Sequence, residues 1–103
     1  MVTHNKLVRD KIPEIIRTDG KTCSLRVLQP TEMLTALRAK LREEVDEYMD
    51  TDDPEELADI LEVVYASAEC LGLSKIELEQ MRAAKVSKNG AFTERYFLLD
   101  VFD

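Results

Sequence analysis

The segment REEVDEYMDTDDPEELADILEVVYA, which spans residues 42–66, mixes acidic and apolar residues throughout its length. A solvated acidic face keeps its charges apart from its apolar residues, whereas Val45, Tyr48 and Leu57 are interleaved with carboxylates here. Carboxylates that are crowded together repel each other and resist desolvation unless a cation neutralises them. Since hard divalent cations prefer oxygen ligands, converging acids in this segment would form a cation site, with Mg²⁺ as the natural candidate.

Two helices are predicted to position these acids. From Thr31 to about Asp50 the apolar residues recur at three- and four-residue steps, which predicts one amphipathic helix. The turn-forming segment TDDPEE interrupts this pattern, and Pro54 suits the first position of a second helix that runs to about Leu71 before Gly72. The short connection makes the two helices antiparallel neighbours in a hairpin.

Four carboxylates are predicted to converge within this hairpin. At about 100° per residue, Glu44 and Glu47 share one edge of the buried face of the first helix. Glu56 and Asp59 lie one turn apart near the start of the second helix, beside the end of the first. The alternative is an ordinary solvated surface, because Glu pairs at this spacing are common on exposed helices and acids at a helix start favour its macrodipole.

The rest of the chain predicts a single all-α domain over residues 1–103. The opening NKLVRDKIPEIIRTDGK predicts two short helical pieces, and TCSLRVLQP predicts a short extended or strand segment near residues 22–28. Ser74 and Glu77 form a capping-box pattern that begins another helix, and Asn-Gly at residues 89–90 ends it. We therefore expect a helical-hairpin bundle.

Composition restricts the class of protein and its partners. The net charge of −7 disfavours a duplex nucleic acid partner, because the chain lacks a broad positive field. No apolar run is long enough to span a membrane, and the N-terminal residues do not form a secretory signal. Two cysteines at unrelated positions do not indicate a disulfide framework. These features predict a cytoplasmic protein with no membrane partner.

The acidic motifs resemble those of a known superfamily. Glu43, Glu44 and Glu47 in EEVDE, followed by Glu56 and Asp59 in EELAD, resemble the EExxE and ExxD motifs of the all-α NTP pyrophosphatases, the MazG-like superfamily. The segments NKLVRDKIPEII, KLREEVDEY, EELADILEVVYA and KVSKNGAFTERYFL resemble its small single-domain, house-cleaning branch, which is phosphoribosyl-ATP pyrophosphohydrolase-like. Two features depart from the pattern: the gap between the two motifs is short, and KNGAF replaces a more basic Gly-Gly turn.

The resemblance implies hydrolysis of a nucleoside triphosphate, including a non-canonical one, to the monophosphate and pyrophosphate. It implies Mg²⁺ as the cofactor, with Mn²⁺ as an alternative metal. The implied metal ligands are Glu44, Glu47, Glu56 and Asp59, and the implied catalytic residues are Glu43 and Glu44, with Glu43 as an outer group or a base for water. The cationic side chains that would balance the triphosphate charge are Lys6, Arg9, Lys11, Lys85, Lys88 and Arg95.

The second helix also predicts self-association. Its apolar residues between Leu57 and Leu71 occupy far more than one stripe, and a chain of this length has too few helices to cover them. A homodimer or a dimer of dimers, in which the partner completes each nucleotide pocket, is therefore expected. The alternative function is a non-catalytic helical oligomer that acts as a nucleotide-binding or regulatory module.

Overall fold

The computed structural model describes residues 1–103 and contains four helices and no strand. The helices are α1 (Ile12–Thr18), α2 (Pro30–Thr51), α3 (Pro54–Cys70) and α4 (Lys75–Asn89). The predicted all-α class is therefore confirmed. The strand alternative for residues 22–28 is wrong, because no second strand exists to pair with the backbone of a lone one. Of the two predicted N-terminal helical pieces only α1 forms, with its proline in the first turn.

Capping side chains define where the long helices begin. Gln29 and Glu32 form a capping box at the start of α2, which the sequence pattern did not predict. The predicted box of Ser74 and Glu77 is confirmed at α4. At α3 the Asp53 side chain caps the helix by accepting from the Glu55 backbone N–H at 3.0 Å, and Glu56 does not complete a capping box with it. The Glu56 side chain therefore remains free to face the hairpin.

The helical hairpin of α2 and α3 is the centre of the fold. Only Asp52 and Asp53 separate the two helices, and Asp52 adopts a left-handed conformation (φ 53°) in which its N–H bonds to the Tyr48 carbonyl at 2.8 Å. Asp tolerates this conformation better than most residues, since its short polar side chain can bond locally. The core of the hairpin is small: only Leu37, Val63, Ala68 and Glu44 are buried.

A single chain leaves an unusually large surface exposed. Its accessible area is 9564 Å², whereas a compact monomer of 11.8 kDa exposes about 5,900 Å². The radius of gyration is 18.1 Å, compared with about 13 Å for a compact domain of this length. The open shape arises because α4 touches only α3 and residues 91–103 form no helix.

The helices also differ from membrane-spanning segments. None of the four combines the length and the apolar composition needed to cross a bilayer.

Candidate metal centre

Three carboxylates from the two helices of the hairpin come together. One oxygen each of Glu44, Glu56 and Asp59 lies within 4.8 Å of the others. We call these three residues the acid cluster. Two oxygens on opposite sides of one Mg²⁺ lie about 4.2 Å apart, so small side-chain rotations would bring the cluster to ligand distance. The antiparallel hairpin creates this meeting, since it places the end of α2 beside the start of α3.

Glu44 is the buried member of the acid cluster, with an exposed fraction of only 7%. Its Oε1 lies 3.2 Å from Nζ of Lys40, one turn earlier on α2, and the Lys40 side chain is itself 15% exposed. Its Oε2 is shielded from solvent and accepts no hydrogen bond. A buried carboxylate oxygen without a partner is costly, and a cation placed beside it would remove that cost.

Glu56 experiences the largest electrostatic perturbation in the cluster. Its Oε2 is shielded from solvent and has no hydrogen-bond partner. Desolvation, followed by the negative charges of Glu47, Asp59 and Glu44, raises the pKa of Glu56 from 4.5 to about 7. No cationic side chain forms an ion pair with Glu56, unlike the other two members. A bound cation would favour its ionised form.

Glu47, the fourth predicted ligand, lies at the rim of the acid cluster. It is exposed and is not one of the three residues whose oxygens meet within 4.8 Å. Its negative charge nevertheless raises the pKa of Glu56, so the two carboxyl groups are neighbours. The structure thus brings three predicted ligands together and leaves the fourth within reach of the same position.

Glu43 lies outside the acid cluster and binds two lysines. Its Oε1 accepts from Lys6 at 2.8 Å, and its Oε2 lies 3.4 Å from Lys40. The hydrogen bond from Lys6 holds the pKa of the Glu43 carboxyl below its usual range, and the same bond raises the pKa of Lys6. Lys6 and Glu43 also line a pocket of about 120 Å³ between the N-terminal segment and α2.

The N-terminal segment reaches both helices of the hairpin. Lys6 contacts Glu43 on α2, and one guanidinium nitrogen of Arg9 donates to Oδ1 of Asp59 on α3 at 2.7 Å. Arg9 therefore occupies one oxygen of an acid-cluster member. Lys6 and Arg9, two of the three predicted cationic residues of this segment, therefore lie beside the acids, as a phosphate-binding role requires.

The other predicted phosphate-binding residues lie elsewhere. Lys11 precedes α1 and lines a separate surface hollow of about 310 Å³ with Glu14 and Asp19. Lys85 and Lys88 are exposed on the last turns of α4, and Arg95 lies in the segment that follows. None of these four forms an ion pair. Within one chain, therefore, none of them pairs with the acid cluster.

Lys40 is the site residue that sequence reasoning missed. Its ammonium group lies against both Glu43 and Glu44. The signal was present in the sequence, because Lys40 precedes these residues by three and four positions and such residues are neighbours on a helix.

Comparison with known proteins does not assign a function to this site. No protein-family model and no solved structure matches the chain. Over 42 residues the chain is 55% identical to an uncharacterized protein of Mycolicibacterium smegmatis (strain ATCC 700084 / mc(2)155). This match covers 41% of the chain and 43% of the relative, so it spans less than half of either protein.

Proposed function

We propose that this protein hydrolyses a nucleoside triphosphate to the monophosphate and pyrophosphate at a Mg²⁺ site built on the acid cluster. The observation that carries the proposal is the buried, unpartnered Oε2 of Glu44 beside two carboxylates of the facing helix. An acidic surface group would be solvated, whereas this oxygen is withheld from water and lacks a donor. A cation is the partner that satisfies all three acids at once.

The donor set fits Mg²⁺ in number and chemistry. Three carboxylates provide the oxygen ligands that this ion prefers, and Glu47 at the rim is available as a fourth. When bound, Mg²⁺ neutralises charge on phosphate oxygens and makes water more acidic. Mn²⁺ would use the same ligands. Glu43 has both oxygens bonded to lysines, which suits a charge-positioning role better than that of a free base for water.

Cationic side chains around the acid cluster fit the phosphate chain of the substrate. Arg9 bonds to Asp59 through an exposed ion pair, and such pairs are worth only about 0 to 1 kcal/mol. A bound triphosphate offers Arg9 stronger, charge-assisted hydrogen bonds, so we expect Arg9 to exchange Asp59 for phosphate oxygens. Water would attack the α-phosphorus and the α–β phosphoanhydride bond would break, with pyrophosphate leaving beside Lys6 and Arg9.

We further propose that the active form is a homodimer or a dimer of dimers that works in the cytosol. The exposed area and the small core of one chain support self-association. A partner chain also offers a route by which Lys85, Lys88 or Arg95 could reach a phosphate, since none of these residues pairs with the acid cluster of its own chain. No duplex nucleic acid or membrane surface is part of this proposal.

Release of pyrophosphate tests the proposed activity. The purified chain is incubated with Mg²⁺ and a panel of normal and modified nucleoside triphosphates, and pyrophosphate and monophosphate are measured together. Equal amounts of both products from at least one nucleotide, lost in Glu44→Gln but kept in Glu62→Gln, would support the proposal. Glu62 is the matched control because it is an exposed acid of α3 outside the acid cluster. Absence of pyrophosphate across the panel would reject it.

A non-catalytic nucleotide-binding or regulatory oligomer is the second candidate. The observation that favours it is the pairing of Lys40 with Glu44 and of Arg9 with Asp59, which neutralises two of the three acids without a metal. Such a module would bind nucleotide through Lys6 and Arg9 and turn none over. Saturable nucleotide binding by the wild-type chain without pyrophosphate release would identify this function.

A further inference from the structure

The last thirteen residues expose a continuous apolar surface. We call residues 91–103 the C-terminal arm; all of them are exposed and none lies in a helix. Its large apolar side chains are each at least 75% exposed, and they include Tyr96, Phe97, Leu98, Leu99, Val101 and Phe102. Water contact with this much apolar surface is unfavourable, and large apolar patches of this kind mark interaction sites.

A second apolar surface lies on the hairpin, on the side opposite the acid cluster. At 100° per residue, Val45 and Met49 lie roughly 130° and 170° around α2 from the midpoint of the edge that carries Glu44 and Glu47. Leu57 and Leu61 lie roughly 130° and 170° around α3 from the midpoint of Glu56 and Asp59, and in an antiparallel pair both displacements lead to the same side. We call Val45, Met49, Leu57 and Leu61 the apolar face; their exposed fractions range from 38% to 71%.

The surface area of the chain matches what a second copy would cover. One chain exposes about 3,600 Å² more than a compact monomer of its mass. Obligate homodimers bury roughly 2,000 to 5,000 Å² in total, so two copies have ample apolar surface for a stable interface. Within one chain, the large apolar side chains of the arm remain at least 75% exposed and those of the apolar face remain 38% to 71% exposed.

Complementary charges predict the direction in which the arm runs along the apolar face. Arg38 and Arg42 continue the line of Val45 and Met49 toward the start of α2, within about 60° around the helix. Both arginines are exposed and form no ion pair. The arm has the complementary order, since its apolar run is followed by two acids, Asp100 and Asp103.

The length of the arm also matches the length of the surface that would receive it. Met49 and Arg38 are about 16 Å apart along α2, at 1.5 Å per residue. An extended chain advances about 3.3 Å per residue, so Leu98 and Asp103 can be up to about 17 Å apart. The arm can therefore place apolar side chains over the apolar face and its acidic end over the arginines simultaneously.

We infer that the C-terminal arm of one copy docks across the apolar face of a second copy, with Asp100 and Asp103 against Arg38 and Arg42. Two-fold symmetry makes the exchange reciprocal, so each copy donates an arm and receives one. The acid clusters face away from both arms and stay open to nucleotide. This inference rests on the self-association in the proposed function, and it is independent of whether the protein hydrolyses a nucleotide.

Two charge-reversed full-length chains test the exchange. The first carries Arg38→Glu and Arg42→Glu, and the second carries Asp100→Lys and Asp103→Lys. Each alone places like charges at the arm and its receiving face, so its dimer dissociation constant should rise roughly tenfold or more. In a mixture of the two, both exchanged contacts pair opposite charges, and the mixed dimer should regain the wild-type constant to within about threefold.

Sedimentation velocity at low salt measures these constants, with circular dichroism to verify helix content. Arg17→Glu is the matched control, because Arg17 is exposed on α1 and forms no ion pair, and its dimer constant should not change. Phe97→Ser provides a variant without charge reversal, which should weaken the dimer while the hairpin stays folded. The expected pattern is a wild-type dimer, two weakened variants and recovery on mixing.

Three results would overturn the inference. A wild-type chain that is monomeric at micromolar concentration excludes the exchange. A dimer that tolerates the charge reversals and Phe97→Ser associates through another surface. Weakened variants that do not recover on mixing indicate that the arm docks on its own chain. Each of these results is independent of the pyrophosphate assay, so the arm exchange and the proposed hydrolysis can be rejected separately.

Discussion

On the acid face of the hairpin, two of the three clustered acids pair with cationic side chains of their own chain, whereas the apolar groups of the C-terminal arm are left exposed. Lys40 pairs with Glu44 and Arg9 pairs with Asp59, so the site is largely assembled in one molecule. All residues of the arm are exposed, including its aromatic side chains. The difference indicates that one chain suffices to assemble the acid cluster but leaves the apolar surface of the arm uncovered.

The largest expected effect concerns the acid cluster. Changing Glu44, Glu56 or Asp59 to its amide should lower hydrolysis about a hundredfold or more, on the order of 3 kcal/mol in the barrier, because each removes a metal ligand charge. Steady-state pyrophosphate release measures the loss, and circular dichroism verifies the fold. Glu62→Gln should retain wild-type activity. Full activity in all three amide variants would disprove the role of the cluster.

Removing a core side chain tests whether the hairpin is the stable part of the molecule. Leu37 is 2% exposed, and Leu37→Ala should lower the free energy of unfolding by about 2 to 3 kcal/mol, since it removes buried methyl groups and leaves a cavity. Leu25→Ala, at a half-exposed position before α2, should change it by less than about 0.5 kcal/mol. Urea unfolding measures both values. Equal losses would show that the hairpin core is not the main source of stability.

The raised pKa of Glu56 predicts a pH dependence of stability. Its pKa is about 7 in the folded chain and near 4.5 when unfolded, so the folded state binds more protons between these values. The metal-free chain should therefore lose stability as pH rises from about 5 to 7, and this loss should be smaller in Glu56→Gln. Urea unfolding in EDTA across this range measures it. A wild-type profile identical to that of Glu56→Gln would contradict the assignment.

Replacing Glu56 and replacing Glu44 should change the stability of the metal-free chain unequally at neutral pH. Glu56 has no cationic partner, so Glu56→Gln should stabilise the metal-free chain by relieving repulsion. Glu44→Gln would instead leave Lys40 without its buried partner, so this change should not stabilise the metal-free chain. Thermal unfolding in EDTA distinguishes the two. If both variants were stabilised to the same extent, repulsion among the acids would outweigh the Lys40–Glu44 ion pair, contrary to this prediction.

The smallest expected effect belongs to Arg9. Because its ion pair with Asp59 is exposed, Arg9→Gln should lower the free energy of unfolding by no more than about 1 kcal/mol. It should raise the KM for nucleotide several-fold if Arg9 binds phosphate. Arg17→Gln is the control for the loss of one positive charge. An unchanged KM would limit Arg9 to a structural role.

Helix periodicity and turn chemistry were sufficient to predict the hairpin and the meeting of Glu44 with Glu56 and Asp59. Both are local properties, since Pro54 and the two preceding aspartates define the turn and 3.6-residue spacing defines the faces. The path of the N-terminal segment could not be predicted, because Lys6 and Arg9 reach their partners across 37 and 50 residues and no periodicity connects them. The strand near residues 22–28 was wrong because alternation does not supply a pairing partner.

The central claim is that the acid cluster binds a divalent cation, and calorimetric titration of Mg²⁺ into the metal-free chain tests it most directly. The titration is best done about one pH unit above the pKa of Glu56, so that this carboxyl is ionised. We predict one saturable site per chain in the wild type and in Glu62→Gln, and none in Glu44→Gln. No saturable binding at millimolar Mg²⁺, or the same binding in all three chains, would contradict the claim.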